Sequence, residues 1–493
     1  MKCLLKIMIL GILLSVFSSC DDFLDVAPTT NVAIPSTADD YQDMLYPLSA
    51  AYSANAIVGL MGDEVYWSKN FYLTQSTDIF ARRAYLREDE VFDITENPGA
   101  WSNGYGLIYT YNKIVDEVRE LPGEPLGKLL KIEAEARLYR ALNYFHLAMM
   151  FAPPYAMSSE TEPGIPVVKE NDVDNTTRER TSVHEVYRYI LADIDTALKY
   201  LPDYATLESR YLGSKLGAYG LKARVYFNMN KYPEALEALE QLFSLLNTKQ
   251  SPVGLKYEIL DYNRLAWKNE TEPWQGMNPA KTFPRAVLQE SENVESVFTS
   301  ELNLRDPTVG SVTFFPMNAI FVSDHVLNFF TEDGDLREKY MFYERNTSGE
   351  YWDQDAPGLK LKRFSYSNAG VSMPDVYLMA AECYARANEV ENALEYLNGL
   401  REKRIDREKY QPRTSSDATQ VLKWILEERM REFIATGHRW YDIRRLWDDP
   451  VGSTMIEKTR VLDGRTYPLT KERLTVRIPE YVMQYHPDWK QNP

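Results

Sequence analysis

The residues best equipped for recognition chemistry are aromatic. The chain holds 34 tyrosines and 9 tryptophans, and many fall in two stretches that lack regular periodicity. Tyr66, Trp67, Phe71, Tyr72 and Tyr85 lie in the first, about 52–105, and Tyr262, Trp267, Trp274, Tyr351 and Trp352 in the second, about 248–372. An aromatic face is a flat apolar partner for the C–H-rich face of a sugar ring, while tyrosine hydroxyls and nearby Asn, Asp and Arg bond its hydroxyls. Trp67, Tyr72, Trp267, Trp274, Tyr351 and Trp352 are therefore the candidate ligand contacts. The competing role for each ring is to pack its own loop onto the body.

Catalytic patterns are absent. Gly104-Tyr-Gly106 lacks the third glycine of a dinucleotide fingerprint, and Gly123-Glu-Pro-Leu-Gly127-Lys128 is one residue short of a phosphate loop. There is no Gly-x-Ser-x-Gly elbow, no His-Glu-x-x-His pair and no cysteine pair for zinc. Five histidines, His146, His184, His325, His438 and His486, are too scattered to mark a metal site. Asp172 and Asp174 resemble the start of a calcium loop, but no glycine follows at the sixth position. No cofactor or metal is expected. Glycoside hydrolysis needs only two carboxylates, and 72 acidic residues guarantee candidate pairs without selecting one.

The elements that would position these residues are mainly helical. Apolar residues recur at helical spacing over about 128–151, 182–201, 213–229, 233–247, 374–387, 390–404 and 418–436. Ser182 followed by Glu185 forms a capping-box signature, and Pro202 stops that helix. Two regions repeat one another. Ala223-Arg-Val-Tyr226, eight residues, then Ala235-Leu-Glu-Ala-Leu239 matches Ala381-Glu-Cys-Tyr384, eight residues, then Ala393-Leu-Glu-Tyr-Leu397. Small alanines let antiparallel helices approach, the tyrosine fills the gap near the turn and the leucines pack on the next unit, as tetratricopeptide-type hairpins require. The copies stand 158 residues apart, so they form no simple tandem array in sequence. Between them, about 248–372, loops with a few short strands are expected; Val312–Phe315 and Ala319–Val322 are the strand candidates, separated by Pro316. Cys383 falls in a helix and reads as a small buried residue.

Charge excludes other roles. With 55 Lys+Arg against 72 Asp+Glu the net charge is −17, which argues against gripping nucleic acid or anionic headgroups. At the N-terminus, Met-Lys-Cys-Leu-Leu-Lys precedes an apolar run from Ile7 to Phe17, then Ser18-Ser19-Cys20 and Asp21-Asp22. This is the order of an export signal, with an apolar run of 11 residues that is too short to span a bilayer. Small residues before a terminal cysteine look like a bacterial lipoprotein signal, in which Cys20 is acylated and becomes the mature N-terminus. Phe17 stands where leucine is usual, and ordinary cleavage with Cys20 as a free thiol is the alternative. Removal of residues 1–19 leaves 53 basic against 72 acidic residues, and acyl chains would then supply the membrane affinity.

These features together resemble the SusD/RagB family. The resemblance is carried by Ser18-Ser19-Cys20-Asp-Asp-Phe-Leu-Asp25, Arg137-Leu-Tyr-Arg140-Ala-Leu-Asn-Tyr-Phe-His-Leu147, Thr181-Ser-Val-His-Glu-Val-Tyr187 and Asp193-Ile-Asp-Thr-Ala-Leu198. In the C-terminal half, Val376-Tyr-Leu-Met-Ala-Ala-Glu382, Glu427-Glu-Arg-Met-Arg-Glu432, Gly437-His-Arg-Trp-Tyr-Asp442-Ile-Arg-Arg445, Ile478-Pro479 and Gln491-Asn-Pro493 continue it in order. Read from its residues, the Gly437 motif is a helix stop followed by an Arg/Asp/Trp cluster in which Arg439, Arg444 and Arg445 pair with Asp442, Glu428 or Glu432. The resemblance implies a tetratricopeptide-like platform, lipid-anchored to the outer membrane and facing the exterior. It also implies a binding protein, not an enzyme, that passes oligosaccharides or other nutrients to a SusC-like TonB-dependent transporter. The expected organisation is a signal over 1–19 and one domain over 20–493: a helical part with hairpins (20–247), an irregular loop-rich insert with a few short strands (248–372) and a C-terminal helical part (373–493). The alternatives are a glycoside hydrolase on a helical scaffold and a periplasmic adaptor whose repeats bind protein.

Overall fold

A computed structural model of the chain describes residues 35–45, 59–74, 79–92, 99–169, 179–205, 213–249, 256–264, 296–298, 321–343, 361–362, 370–434 and 436–493. Nine long helices organise these residues: α1 (Gly99–Glu117), α2 (Leu126–Phe151), α3 (Val183–Ala197), α4 (Lys215–Asn228), α5 (Tyr232–Thr248), α6 (Met373–Arg386), α7 (Val390–Glu402), α8 (Ala418–Glu432) and α9 (His438–Leu446). Eight short strands accompany them: β1 (Val65–Tyr66), β2 (Ser296–Phe298), β3 (Phe321–Val322), β4 (Phe342–Tyr343), β5 (Leu361–Lys362), β6 (Val371–Ser372), β7 (Thr459–Leu462) and β8 (Arg465–Pro468). The mainly helical architecture is the expected one. None of the described helices is long and apolar enough to cross a membrane.

From α1 to α8 each helix packs on the next in chain order, and α5 lies against α6 although residues 249–372 separate them. The two hairpin copies are thus neighbours in space. The 158-residue offset that hides a tandem array in the sequence is an excursion of the chain between adjacent units. Ala223, Ala235, Ala381 and Ala393 are fully buried, as are Leu239 and Leu397. Both turns are also the same. Asn230 and Asn388 adopt left-handed φ of 60° and 63°. The following amides, Lys231 and Glu389, close the helix on the carbonyls of Tyr226 at 3.0 Å and Tyr384 at 2.9 Å. Asparagine tolerates that region better than any other side chain.

The longest described helix, α2, is buried from Ile132 onward except at Arg137, which is part-exposed. Its buried Arg140 is satisfied by neighbouring helices, donating to both oxygens of Asp193 on α3 at 2.7 Å and to Asn112 on α1 at 2.7 Å. The Ser182 hydroxyl caps α3 as the sequence signals, accepting the Glu185 N–H at 3.3 Å. Gly437, at φ 87°, supplies the reversal between α8 and α9.

The first irregular stretch is more helical than its composition implies. Short helices run over Lys69–Thr74 and Ile79–Leu86, and α1 begins at Gly99. Glycines and rings lower local propensity there, but α1 buries Trp101, Gly104, Leu107, Ile108, Tyr111 and Ile114 along one stripe. Gly104 is part of that packing, because a Cβ on it would stand 3.0 Å from Leu147 of α2. Of the two strand candidates, Ala319–Val322 contains β3, and Val312–Phe315 lies outside the described residues.

Candidate functional site

Residues from the two aromatic-rich stretches meet in one small sheet of strand order β1-β3-β5-β4, with every pairing antiparallel. β1 comes from the first stretch and β3, β4 and β5 from the second. Around β1 the rings interlock. Trp67 stacks on Tyr85 with centroids 4.5 Å apart and 15° between planes. Phe71 meets Trp67 edge-on at 5.5 Å and Phe321 of β3 at 5.2 Å. Tyr72 stands 6.4 Å from both Trp67 and Tyr85, half-buried, with the Arg82 guanidinium 4.3 Å over its ring. Ser68 orders this turn by accepting the Phe71 N–H at 3.1 Å.

Of the two candidate contacts among the described residues, Tyr72 keeps part of its surface exposed. Trp67 does not: it is 0% exposed, and its amide donates to the Tyr85 hydroxyl at 2.8 Å. Direct stacking of Trp67 on a ligand is therefore corrected to support of the ring layer, since the ring is wholly buried and stacks on Tyr85. Trp267, Trp274, Tyr351 and Trp352 lie outside the described residues, as does Cys20. In sequence Tyr351 and Trp352 fall between β4 and β5, which pair antiparallel.

Beneath the rings lies a charged hub that sequence reasoning missed. Asp63 accepts from Arg439 of α9 at 2.6 and 2.7 Å and from the Glu457 amide at 2.9 Å. Its own carbonyl accepts the Ser323 hydroxyl at 2.6 Å. Burial would raise this carboxyl, but the Arg439 charge and hydrogen bonds outweigh it and hold Asp63 down to about 2. Arg460 of β7 donates to the carbonyls of Leu60, Gly62, Val65 and Tyr85 and lies 4.0 Å over the Tyr85 ring. Arg87 donates to the Met61 carbonyl at 2.9 Å. Arg439 and Asp63 are 376 residues apart, so no local pattern announces the pair.

Glu64 is the exception in this hub. Burial, then the charge of Asp63, push its carboxyl up to about 8. A protonated carboxylic acid beside an ionised one is the arrangement of general acid catalysis. Here Glu64 is 1% and Asp63 3% exposed, so no substrate reaches either. Among the described residues no three His, Cys, Asp or Glu side chains converge to hold a metal ion.

The Gly437 motif does lock the last helices, with partners that differ in part from those expected. Arg445 pairs with Asp442 at 2.8 Å as read from sequence, and also with Glu382 of α6 at 2.6 Å. Arg439 instead takes Asp63, and Arg444 donates to the carbonyls of Ala152 at 2.6 Å and Leu474. Glu428 and Glu432 pair with Arg337 at 2.7 and 3.0 Å, and Glu432 with Arg404 at 2.7 Å. Asp375 of α6 joins Arg224 of α4 at 2.8 Å to Arg429 of α8 at 3.4 Å. Burial opposes ionisation of Asp375, yet Arg224, His438 and Arg429 hold it well below the usual carboxylate range. Cys383 is buried as expected, and burial raises its thiol.

A helical-hairpin platform that carries its rings on an inserted sheet defines a class. Residues 373–490 match the SusD family model, and residues 22–227 match a SusD-like model described as "Starch-binding associating with outer membrane". The chain belongs to the SusD family. A SusD-like protein of Formosa agariphila is 24% identical, with 88% of this chain and 89% of that protein covered. A solved SusD superfamily protein from Bacteroides thetaiotaomicron superposes with a TM-score of 0.67 at 18% identity, covering 93% of this chain and 100% of that one. A laminarin-binding SusD-like protein superposes at 0.65 with 17% identity, over 94% and 100%. These neighbours share the tetratricopeptide-like fold, and the family is associated with the outer membrane.

Proposed function

We propose that this protein is a surface nutrient-binding lipoprotein that captures oligosaccharide and delivers it to a SusC-like TonB-dependent transporter. In this reading residues 1–19 are removed, acylated Cys20 anchors the body to the outer membrane facing the exterior, and the bound glycan is not cleaved. The observation that carries it is the β1-β3-β5-β4 sheet, which joins the two aromatic-rich stretches on one support. Tyr72 contacts the sugar with Trp67 and Tyr85 behind it, and Trp267, Trp274, Tyr351 and Trp352 complete the contact surface. Family membership and the laminarin-binding neighbour support a glycan as ligand. The burial of Asp63 and Glu64 supports binding over hydrolysis.

Calorimetry of residues 21–493 against an oligosaccharide panel, with reducing-end assays alongside, tests the proposal. Saturable binding without product, weakened by Tyr72→Ala or Trp267→Ala, is the expected result. Product formation overturns it.

A further inference from the structure

Away from the sheet, a polar cleft of about 620 Å³ opens between α3 and the strap 163–169. The strap is fixed before any ligand arrives. The Tyr105 hydroxyl donates to the Pro166 carbonyl at 2.9 Å, and Asn112 and the Tyr144 hydroxyl donate to the Val168 carbonyl at 2.9 and 3.0 Å. The Val168 amide returns to the Tyr144 oxygen at 2.8 Å, and the Val167 amide donates to Thr181 Oγ1 at 3.0 Å. Opposite stand Glu185, Arg188, Tyr189 and Ala192 of α3, whose i, i+3, i+4, i+7 spacing puts them on one helix face. The small Ala192 leaves the space open.

The lining has a definite chemistry. Lys169 is exposed and makes no ion pair among the described residues. Among the described residues Arg188 pairs with Glu185, at 3.8 Å and with both side chains more than half exposed, a pairing that contributes little. Tyr189 is braced edge-on by Tyr144 at 5.5 Å and by the Arg140 guanidinium at 5.2 Å. Burial, then the Asp193 charge, push its hydroxyl up to about 12, so it stays a neutral donor. Thr181 accepts one hydrogen bond and keeps its own proton to donate. Among the described residues the lining thus holds two cations, two hydroxyl-bearing side chains and one carboxylate, in a protein of net charge −17.

We propose that this cleft is a second sugar subsite, selective for a glycan unit bearing a carboxylate or a sulfate. Lys169 and Arg188 take the charge, and Tyr189 and Thr181 bond the neighbouring ring hydroxyls. Its volume accommodates a short oligosaccharide. It shares no residue with the ring cluster, and it rests on the glycan-binding reading while specifying the class of glycan.

The test is calorimetric titration of the full-length protein with trigalacturonate, a sulfated galactan trisaccharide and a neutral galactotriose. The acidic sugars bind more tightly than the neutral one, and their affinity falls with added salt. Lys169→Ala and Arg188→Ala each weaken acidic binding by about tenfold, the loss of one charge-assisted contact, while Glu185→Gln strengthens it. The uronate and sulfate arms identify which acid the cleft takes. Acidic affinity unchanged in the Lys169→Ala/Arg188→Ala double variant overturns the subsite. Equal binding of acidic and neutral sugars, lost in Tyr72→Ala, overturns the subsite and retains the glycan reading. Absence of binding by all three overturns the subsite, and the oligosaccharide panel then decides the glycan reading separately.

Discussion

Glu64→Gln tests the electrostatics of the hub directly. The Glu64 carboxyl is buried, and its oxygens find no partner among the described residues apart from their own backbone N–H. Its folded value of about 8 stands above the ordinary 4.5. The folded state therefore holds a proton that the unfolded state releases, and stability falls as pH rises from about 4.5 to about 8. At roughly 1.4 kcal/mol per unit, the cost reaches about 3 kcal/mol at pH 7 and levels off above pH 8. Glutamine cannot ionise, so its contribution has no slope. Calorimetric melts of both proteins from pH 5 to pH 8 read the difference, which cancels titrations common to the two. The Tm of Glu64→Gln relative to wild type rises with pH, by about 3 °C between pH 5 and pH 7.5 for a chain of this size. An offset that stays constant across that range refutes a protonated Glu64.

The buried ion pairs carry the opposite pH dependence. Asp375, Glu382 and Asp442 are held below their ordinary values despite burial, by arginines, so the stability they contribute is present above about pH 4.5 and is lost as pH falls below it. Glu382→Gln leaves Arg445 and Arg386 under-compensated; urea unfolding at pH 7 shows a loss of about 3–5 kcal/mol. Asn388→Ala costs about 1 kcal/mol through its left-handed turn, whereas Asn388→Gly is close to neutral, as measured by thermal melts. Trp67→Ala costs about 3–5 kcal/mol in stability, while Tyr72→Ala leaves the melting temperature within a few degrees and weakens oligosaccharide binding, a contrast that separates support from contact.

How much was legible in the sequence follows from the range of the interactions. Helices with a clean apolar stripe were readable to within a few residues, because Ser182, Pro202 and the Ala–Tyr–Leu repeat act locally. The helix α1 was not, because its stripe is written in Gly104, Trp101 and Tyr111, residues of poor intrinsic propensity whose helical state is decided by packing on α2. Candidate rings were readable as a group from their loop placement, but which of them faces outward was not. Trp67 and Tyr72 are five residues apart and equally aromatic, and only the stacking of Tyr85 on Trp67 separates a wall from a contact. The Gly437 motif announced an arginine cluster, while its partners Asp63 and Glu382 come from segments that local spacing cannot connect to it.

The same long-range pairs explain how a helical stack can hold the proposed recognition surface on an excursion. The stack continues from α5 to α6, so that helix-to-helix contact does not run through residues 249–372. Such an insert needs fixing to the body if it is to present rings in one geometry. The hub provides that fixing. Asp63 holds α9 through Arg439 and the β3 end through Ser323, while Arg460 collects the carbonyls that precede and follow it. Buried charge here contributes register more than stability, since an apolar contact of the same size would tolerate sliding and a bidentate pair does not. The arrangement implies that substitutions at Arg439 disturb ligand binding through the sheet even though that side chain lies beneath the rings.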